Sequence, residues 1–209
     1  MKIIIFGATG MVGIQLVKQG LYMGHEVKAF GRNVFTADLP KDDRLELVQG
    51  ALFDEGQVYK AINGCDAVLS SLGGDAGGSD VTRSLGMKNI VAQMQKAGVH
   101  RIVAVGGMGS LNADEETLIM DTPDYPSKFL PVSREHYKAL EYLKASALDW
   151  TFVCPPDIIN ADATGDFIVS IDYPPKADAM KINAGDLAMF MLNEMEKKEY
   201  LRQKIGISN

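Results

Sequence analysis

Residues 2–13 read KIIIFGATGMVG, an apolar run from Ile3 to Phe6 that enters a turn carrying Gly7, Gly10 and Gly13. The run is rich in β-branched residues and too short to span a membrane, which predicts a strand buried on both faces. Gly7 permits a tight turn, Gly10 lets backbone approach a phosphate with no side chain between, and Gly13 lets the following helix pack close to the strand. Unpaired amides at the start of that helix, with its positive dipole end, suit a pyrophosphate, and Thr9 offers a hydroxyl. The spacing is G-x-x-G-x-x-G rather than the commoner G-x-G-x-x-G, and an ordinary strand-to-helix connection is the plainer alternative.

Glu26 to Phe30 reads as the second strand. Where an acidic side chain would bind a ribose 2′-hydroxyl, the chain has Gly31 and then Arg32. A guanidinium there pairs with the oxygens of a 2′-phosphate and stacks on adenine, as a carboxylate cannot. NADP(H) is therefore expected in preference to NAD(H); the alternative is a solvated arginine at a strand end.

Composition narrows the setting. A chain of 209 residues suffices for one compact domain that removes roughly 70% of its unfolded surface from water. Lysine and arginine total 21 against 27 aspartate and glutamate, a net charge of −6, and no basic cluster recurs along a helix face, so nucleic acid is not an expected partner. Cys65 and Cys154 are too few and too far apart for a disulfide framework or a metal cage, which fits a reducing cytoplasm. Met1 leads straight into the first strand, with no charged leader, cleavage site or long apolar span. The expectation is a soluble cytoplasmic protein, monomer or homodimer, without a membrane partner.

Strand and helix then alternate. Leu45 to Gln49 reads as a strand, Asp54 to Ile62 as a short helix, and Ala67 to Ser71 as a strand ending in Leu72, Gly73 and Gly74. Leu85, Ile90, Val91 and Met94 mark a long helix closed by Gly98, and Arg101 to Val105 is a fifth strand ending in Gly106, Gly107, Met108, Gly109 and Ser110. Leu111 to Val132 forms a long connection, read either as a flap over a substrate or as a surface excursion. Ser133 is the expected N-cap of a helix to Ser146, and Trp150 to Cys154 is a sixth strand stopped by Pro155 and Pro156. Phe167 to Ile171 and Lys176 to Ile182 read as short strands, Asp186 opens a helix to Glu199, and Gln203 to Ile207 adds a last strand. The whole predicts a single α/β domain over 1–209: a Rossmann-like doubly wound parallel sheet, three layers α/β/α, with a small substrate-side lobe from about 155 to 209.

GATGMVG, the GRN at Gly31 to Asn33, DAVLSSLGG at Asp66 to Gly74, VGGMGSL at Val105 to Leu111, LDWTFVCPPDI at Leu148 to Ile158 and the segment INAGDLAMFML together resemble the atypical short-chain dehydrogenases, with NmrA-like proteins among them. Within these the chain is similar to the branch of biliverdin reductase B and the NAD(P)H-flavin reductases. The resemblance implies an NADPH-binding Rossmann fold with a shallow pocket for a flat conjugated acceptor. It assigns cofactor contacts to Gly7, Thr9, Gly10, Met11, Val12, Arg32, Leu52, Ser71, Leu72, Gly73, Pro155 and Pro156. The chain departs from its relatives at Ala51, where they carry an acid for adenine, and at Gly107 and Asp157, where biliverdin reductase B carries serine and histidine. A flavin is therefore expected ahead of biliverdin or a quinone.

The usual dehydrogenase pair sets a tyrosine four residues before a lysine, on one helical face. Lys138 matches the lysine, but Arg134 stands in the tyrosine's position, and the Tyr200 and Lys204 pair lies beyond the last helix. Flavin reduction needs no dedicated acid, since the cofactor carries the difficult chemistry. Candidates for orienting or protonating the acceptor are Ser110, His136 and Lys138, with Met108 and Asp157 on the substrate side. The plainer readings are a turn serine, a solvated or capping histidine and a capping aspartate. An NADP(H)-sensing regulator without turnover, and a nucleotide-sugar epimerase, are the competing functional classes.

Overall fold

Strand β1 (Lys2–Phe6) pairs in parallel with β2 (Glu26–Gly31) on one side and β4 (Ala67–Ser70) on the other. Its side chains alternate between two cores: Ile3 and Ile5 enter one, Ile4 and Phe6 the other, and all four are fully buried. That is why the apolar run has no polar member. The computed structural model describes residues 1–75, 79–177 and 180–209. Strands β3 (Leu45–Gln49), β5 (Arg101–Val105), β6 (Asp149–Cys154), β8 (Ile168–Ile171) and β10 (Gln203–Ser208) extend the sheet to eight in the order β3-β2-β1-β4-β5-β6-β10-β8. Its pairings are parallel except that of β8, which runs antiparallel to β10 with Ile171 opposite Ile205.

Helices α1 (Met11–Tyr22) and α5 (Ala184–Lys197) cover one face, with Leu16, Val17, Leu187 and Met191 in the shared core. The other face carries α2 (Glu55–Ile62), α3 (Thr82–Ala97) and α4 (Leu130–Lys144), through Ile62, Ile90, Met94 and Leu140. The expected three-layer, doubly wound architecture is therefore the observed one. Asp54 caps α2 by accepting the Gln57 amide at 2.8 Å, and Gly98, at φ 70°, ends α3 in the left-handed conformation. Leu85 faces outward, and Ser84 and Met87 take the buried positions beside it.

Two local expectations are corrected. Helix α4 starts at Leu130 with Pro131 in its first turn, so Ser133 lies inside the helix rather than at its cap; the proline ring is preset for a helix start. The connection before it is ordered by one-turn 3₁₀ helices at Ile119–Asp121 and Ser127–Phe129. The strand expected over Lys176 to Ile182 is the shorter β9 (Lys181–Asn183), paired in parallel with β7 (Asp157–Ile159); its residues 178–179 lie outside the described residues. Of the residues after Pro155, α5 and β10 belong to the main layers, while β7 and β9 form a separate two-stranded sheet. Asp186, fully buried in the first turn of α5, accepts from the Thr164 amide at 2.7 Å, the Gly165 amide at 2.7 Å and Asn209 Nδ2 at 2.8 Å, pinning the loop between them. Burial raises its carboxyl, and these donors more than offset that, holding it below the usual carboxylate range.

A buried ion pair ties the amino ends of β5 and β6 to α5. Arg101 Nη2 donates to Glu194 Oε1 at 2.8 Å, and the same carboxylate oxygen accepts from Thr151 Oγ1 at 2.9 Å and the Tyr200 amide at 3.0 Å. Removing one partner leaves a charge stranded in the core, at a cost of about 3–5 kcal/mol. Glu194→Ala should lower unfolding stability by that amount in a denaturant titration; a change below about 1 kcal/mol, the range of exposed pairs, would show the pair to be solvated.

Candidate functional site

The strand order reverses between β1 and β4, and the connections leaving those strands part to opposite faces, which opens a crevice at their carboxyl ends. Gly7 sits at its floor with φ 80°, and a Cβ there would collide with the Ser71 carbonyl. Ser71 Oγ donates to the carbonyls of Phe6 and Gly7 at 3.2 and 3.3 Å, fastening the two strand ends together. Gly13 presses on the Gly7 carbonyl and the Ala8 backbone, so a side chain there would push α1 off the strand. Around Gly10 the space is open: a Cβ added there would meet only the Gly7 carbonyl, at 3.4 Å. Gly10 is also the N-cap of α1, whose first turn has neither a capping side chain nor an acid. A positively polarised helix end thus faces a cradle that a side chain would fill, and the donor set fits a dinucleotide pyrophosphate.

The cleft over this turn has a volume of about 670 Å³. Gly7, Thr9, Gly10, Met11, Val12, Arg32, Leu52, Ser71, Leu72 and Gly73 all line it, so the structure gathers these expected contacts into one place. Arg32 is exposed at its rim; its carbonyl is held by Gln49 Nε2 at 2.9 Å, and none of the ion pairs among the described residues engages its guanidinium. Phe53 and Arg83 also line the cleft, and no spacing in the sequence singles them out. Arg83 donates to the carbonyls of Gly74 and Asp75 at 3.0 and 3.1 Å, and burial lowers its guanidinium from the ordinary value.

A second cleft of about 630 Å³ adjoins the first, walled by the turn after β5, the double proline and the 119–129 excursion. The two share Gly106, His136 and Ile158. Met108 and Asp157 line this second cleft, as do Pro155 and Pro156, which the resemblance assigned to the cofactor. Tyr125, Phe129, Val132, Ser133 and Met180 complete its wall; the first three belong to the 111–132 connection, and no spacing in the sequence singles out these side chains.

His136 therefore stands at the junction. Its ring lies against Gly107, where a Cβ would approach His136 Cδ2 to 2.9 Å, so the glycine makes room for it. Burial, joined by the positive charge of Arg83, pushes its imidazole down to about 3, and it is neutral near pH 7. The two remaining catalytic candidates fall outside both clefts. Lys138 follows His136 by two helical positions, about 200° around the axis, and its exposed side chain pairs with Glu135 at 3.0 Å. Ser110 is fully buried beneath the turn, its carbonyl accepting from the buried Lys204 Nζ at 3.0 Å while Lys204 also donates to Asn112 Oδ1 at 2.6 Å. With Lys204 so engaged and the Tyr200 ring against Phe190, the Tyr200 and Lys204 pair is no catalytic dyad. Burial raises the Cys154 thiol to about 12, which leaves it unreactive. Among the described residues there is no group of three metal-ligating side chains and no helix long and apolar enough to cross a membrane.

A model of a family described as NAD(P)H-binding matches residues 7–198. The chain belongs to this NAD(P)H-binding family. Solved structures share the fold across the full length. A Burkholderia pseudomallei protein provisionally named as exported is 30% identical, with all of both chains covered and a TM-score of 0.85. A Streptococcus pneumoniae protein provisionally named an NADH-flavin reductase is 27% identical, with 99% of this chain and 98% of that one covered and a TM-score of 0.82. A Bacteroides thetaiotaomicron protein provisionally named an epimerase is 25% identical, with 99% and 96% covered and a TM-score of 0.87.

The depressed imidazole of His136 carries a signature in stability. Between its folded value of about 3 and the ordinary 6.5, the unfolded chain binds the extra proton, so stability is lost as pH falls through that window. Melting curves at pH 7.5 and 5 should show a smaller acid-induced drop for His136→Gln than for the unsubstituted protein; equal drops would mean that this imidazole titrates normally.

Proposed function

We propose that the protein is an NADPH-dependent reductase of a flat conjugated acceptor, with a flavin as the first candidate. The observation that carries this reading is the meeting of two clefts at His136: one floored by the glycine turn of a dinucleotide site, the other apolar and roofed by an excursion of the chain. Gly7, Gly10 and the first turn of α1 would hold the pyrophosphate, Leu52 and Phe53 the adenine side, and Arg32 the 2′-phosphate. When bound, the reduced nicotinamide supplies a hydride. The protein then has to orient the acceptor and keep water away, and Phe129, Val132, Pro155, Pro156 and Met180 offer the apolar surface for both tasks. His136, uncharged, bounds both ligands and can exchange a hydrogen bond without adding charge to the cavity.

NADP(H) is favoured over NAD(H) because Arg32 has no partner acid among the described residues and Gly31 holds the position of a ribose-binding carboxylate. On this reading the partner is a small aromatic acceptor, neither nucleic acid nor membrane, met in the cytoplasm by a monomer or a homodimer. Purified protein should consume NADPH with FMN, FAD, quinones or biliverdin; tight binding with no turnover across this panel would favour an NADP(H)-sensing regulator instead. Arg32→Glu should weaken NADPH binding about 10- to 100-fold, the 1.5–3 kcal/mol of a charged hydrogen bond, with NADH affected much less. Equal losses for both cofactors in calorimetry would remove the assignment of Arg32 to the phosphate.

A further inference from the structure

Resting on the reading of the second cleft as the acceptor side, we propose that Tyr125, hydrogen-bonded to Ser133, donates the proton to an acceptor whose reduction leaves charge on oxygen, a conjugated carbonyl or quinone. Tyr125 Oη and Ser133 Oγ are 2.6 Å apart and both residues line the second cleft. Two hydroxyls bring two protons, and the bond between them uses one. Neither oxygen has another hydrogen bond among the described residues, so one O–H remains to be given to whatever occupies the cleft. Other groups there are less suited. Thr122 Oγ1 donates to the Ile119 carbonyl at 2.8 Å, and the carboxylates of Asp124 and Asp157 accept.

The turn after β5 is shaped around this pair. A Cβ on Gly109 would stand 2.6 Å from Ser133 Oγ and 2.9 Å from Tyr125 Oη, so a glycine is what lets the hydroxyls meet. Ser133 is 4% exposed and shares one face of α4 with His136, three residues on, so the hydroxyl pair and the junction of the clefts are fixed by the same helix. The tyrosine missing from position 134 is thus replaced by a phenol delivered from the excursion.

The step balances as follows. A hydride passes from the reduced nicotinamide dinucleotide to a conjugated carbon of the acceptor, and the displaced π pair moves onto the carbonyl oxygen. The Tyr125 O–H bond breaks as the substrate O–H bond forms. The phenolate accepts from Ser133 and regains its proton from water as product leaves. The dinucleotide ends oxidised, and the acceptor has gained two electrons and two protons.

The test is NADPH oxidation by the unsubstituted protein, Tyr125→Phe, Ser133→Ala and Ser133→Thr, with 1,4-naphthoquinone, 2-cyclohexen-1-one and FMN, alongside NADPH binding. Tyr125→Phe should lower kcat about 100-fold with the carbonyl acceptors, within the range for a lost general acid, while KM and NADPH binding hold. FMN should lose far less, because its reduced ring spreads the charge. Ser133→Thr should retain the activity that Ser133→Ala loses. Unchanged kcat in Tyr125→Phe, turnover of FMN alone by the unsubstituted protein, or a threonine variant no better than the alanine one would overturn the donor and leave the reductase reading standing. No NADPH consumption with any of the three acceptors would end both.

Discussion

The site depends on one close approach, that of the Gly7 backbone to the Ser71 carbonyl where the strand order reverses. Neighbouring strands that continued in parallel order would leave no gap at their ends; here β1 and β4 are stitched together at the last residue and their continuations are sent to opposite faces. The left-handed conformation of Gly7 turns the chain under the cleft, and Gly13 lets α1 return close enough to aim its amino end at the same space. Geometry of this kind tolerates no added atom at either position, whereas the openness at Gly10 leaves room for a ligand rather than for protein.

Charge is distributed with a clear division. The buried Arg101 and Glu194 pair secures the amino ends of the strands, far from the chemistry, while the cleft ends carry their cations at the margins, Arg32 in solvent and Arg83 against the loop carbonyls. Between them stand His136, which is uncharged, and the hydroxyls of Tyr125 and Ser133, which bond each other, with the carboxylates of Asp124 and Asp157 on the wall of the second cleft.

Much of this was legible in the chain because it is written in short-range spacing. The glycine turn, the alternation of strands and helices, Arg32 after β2 and the glycine-rich end of β4 each follow from a few adjacent residues. What escaped is what only tertiary structure assembles. Phe53 and Arg83 reach the first cleft from elements with no motif of their own, and Tyr125 meets Ser133 through a connection that read as a loop. Lys138 matches half of a pair whose tyrosine is absent, and helical rotation carries it to solvent, outside both clefts. A serine after a strand can point either into a crevice or beneath it, and at Ser110 the buried ammonium of Lys204 draws the peptide inward.

That ammonium links distant ends of the polypeptide. Lys204 belongs to the final strand, yet it anchors the turn after β5 through Ser110 and Asn112, the same turn whose Gly107 and Gly109 accommodate His136 and the hydroxyl pair. The turn after β5 therefore acquires its floor only when the last strand docks beside β6, so the second cleft is completed by the last residues to be synthesised.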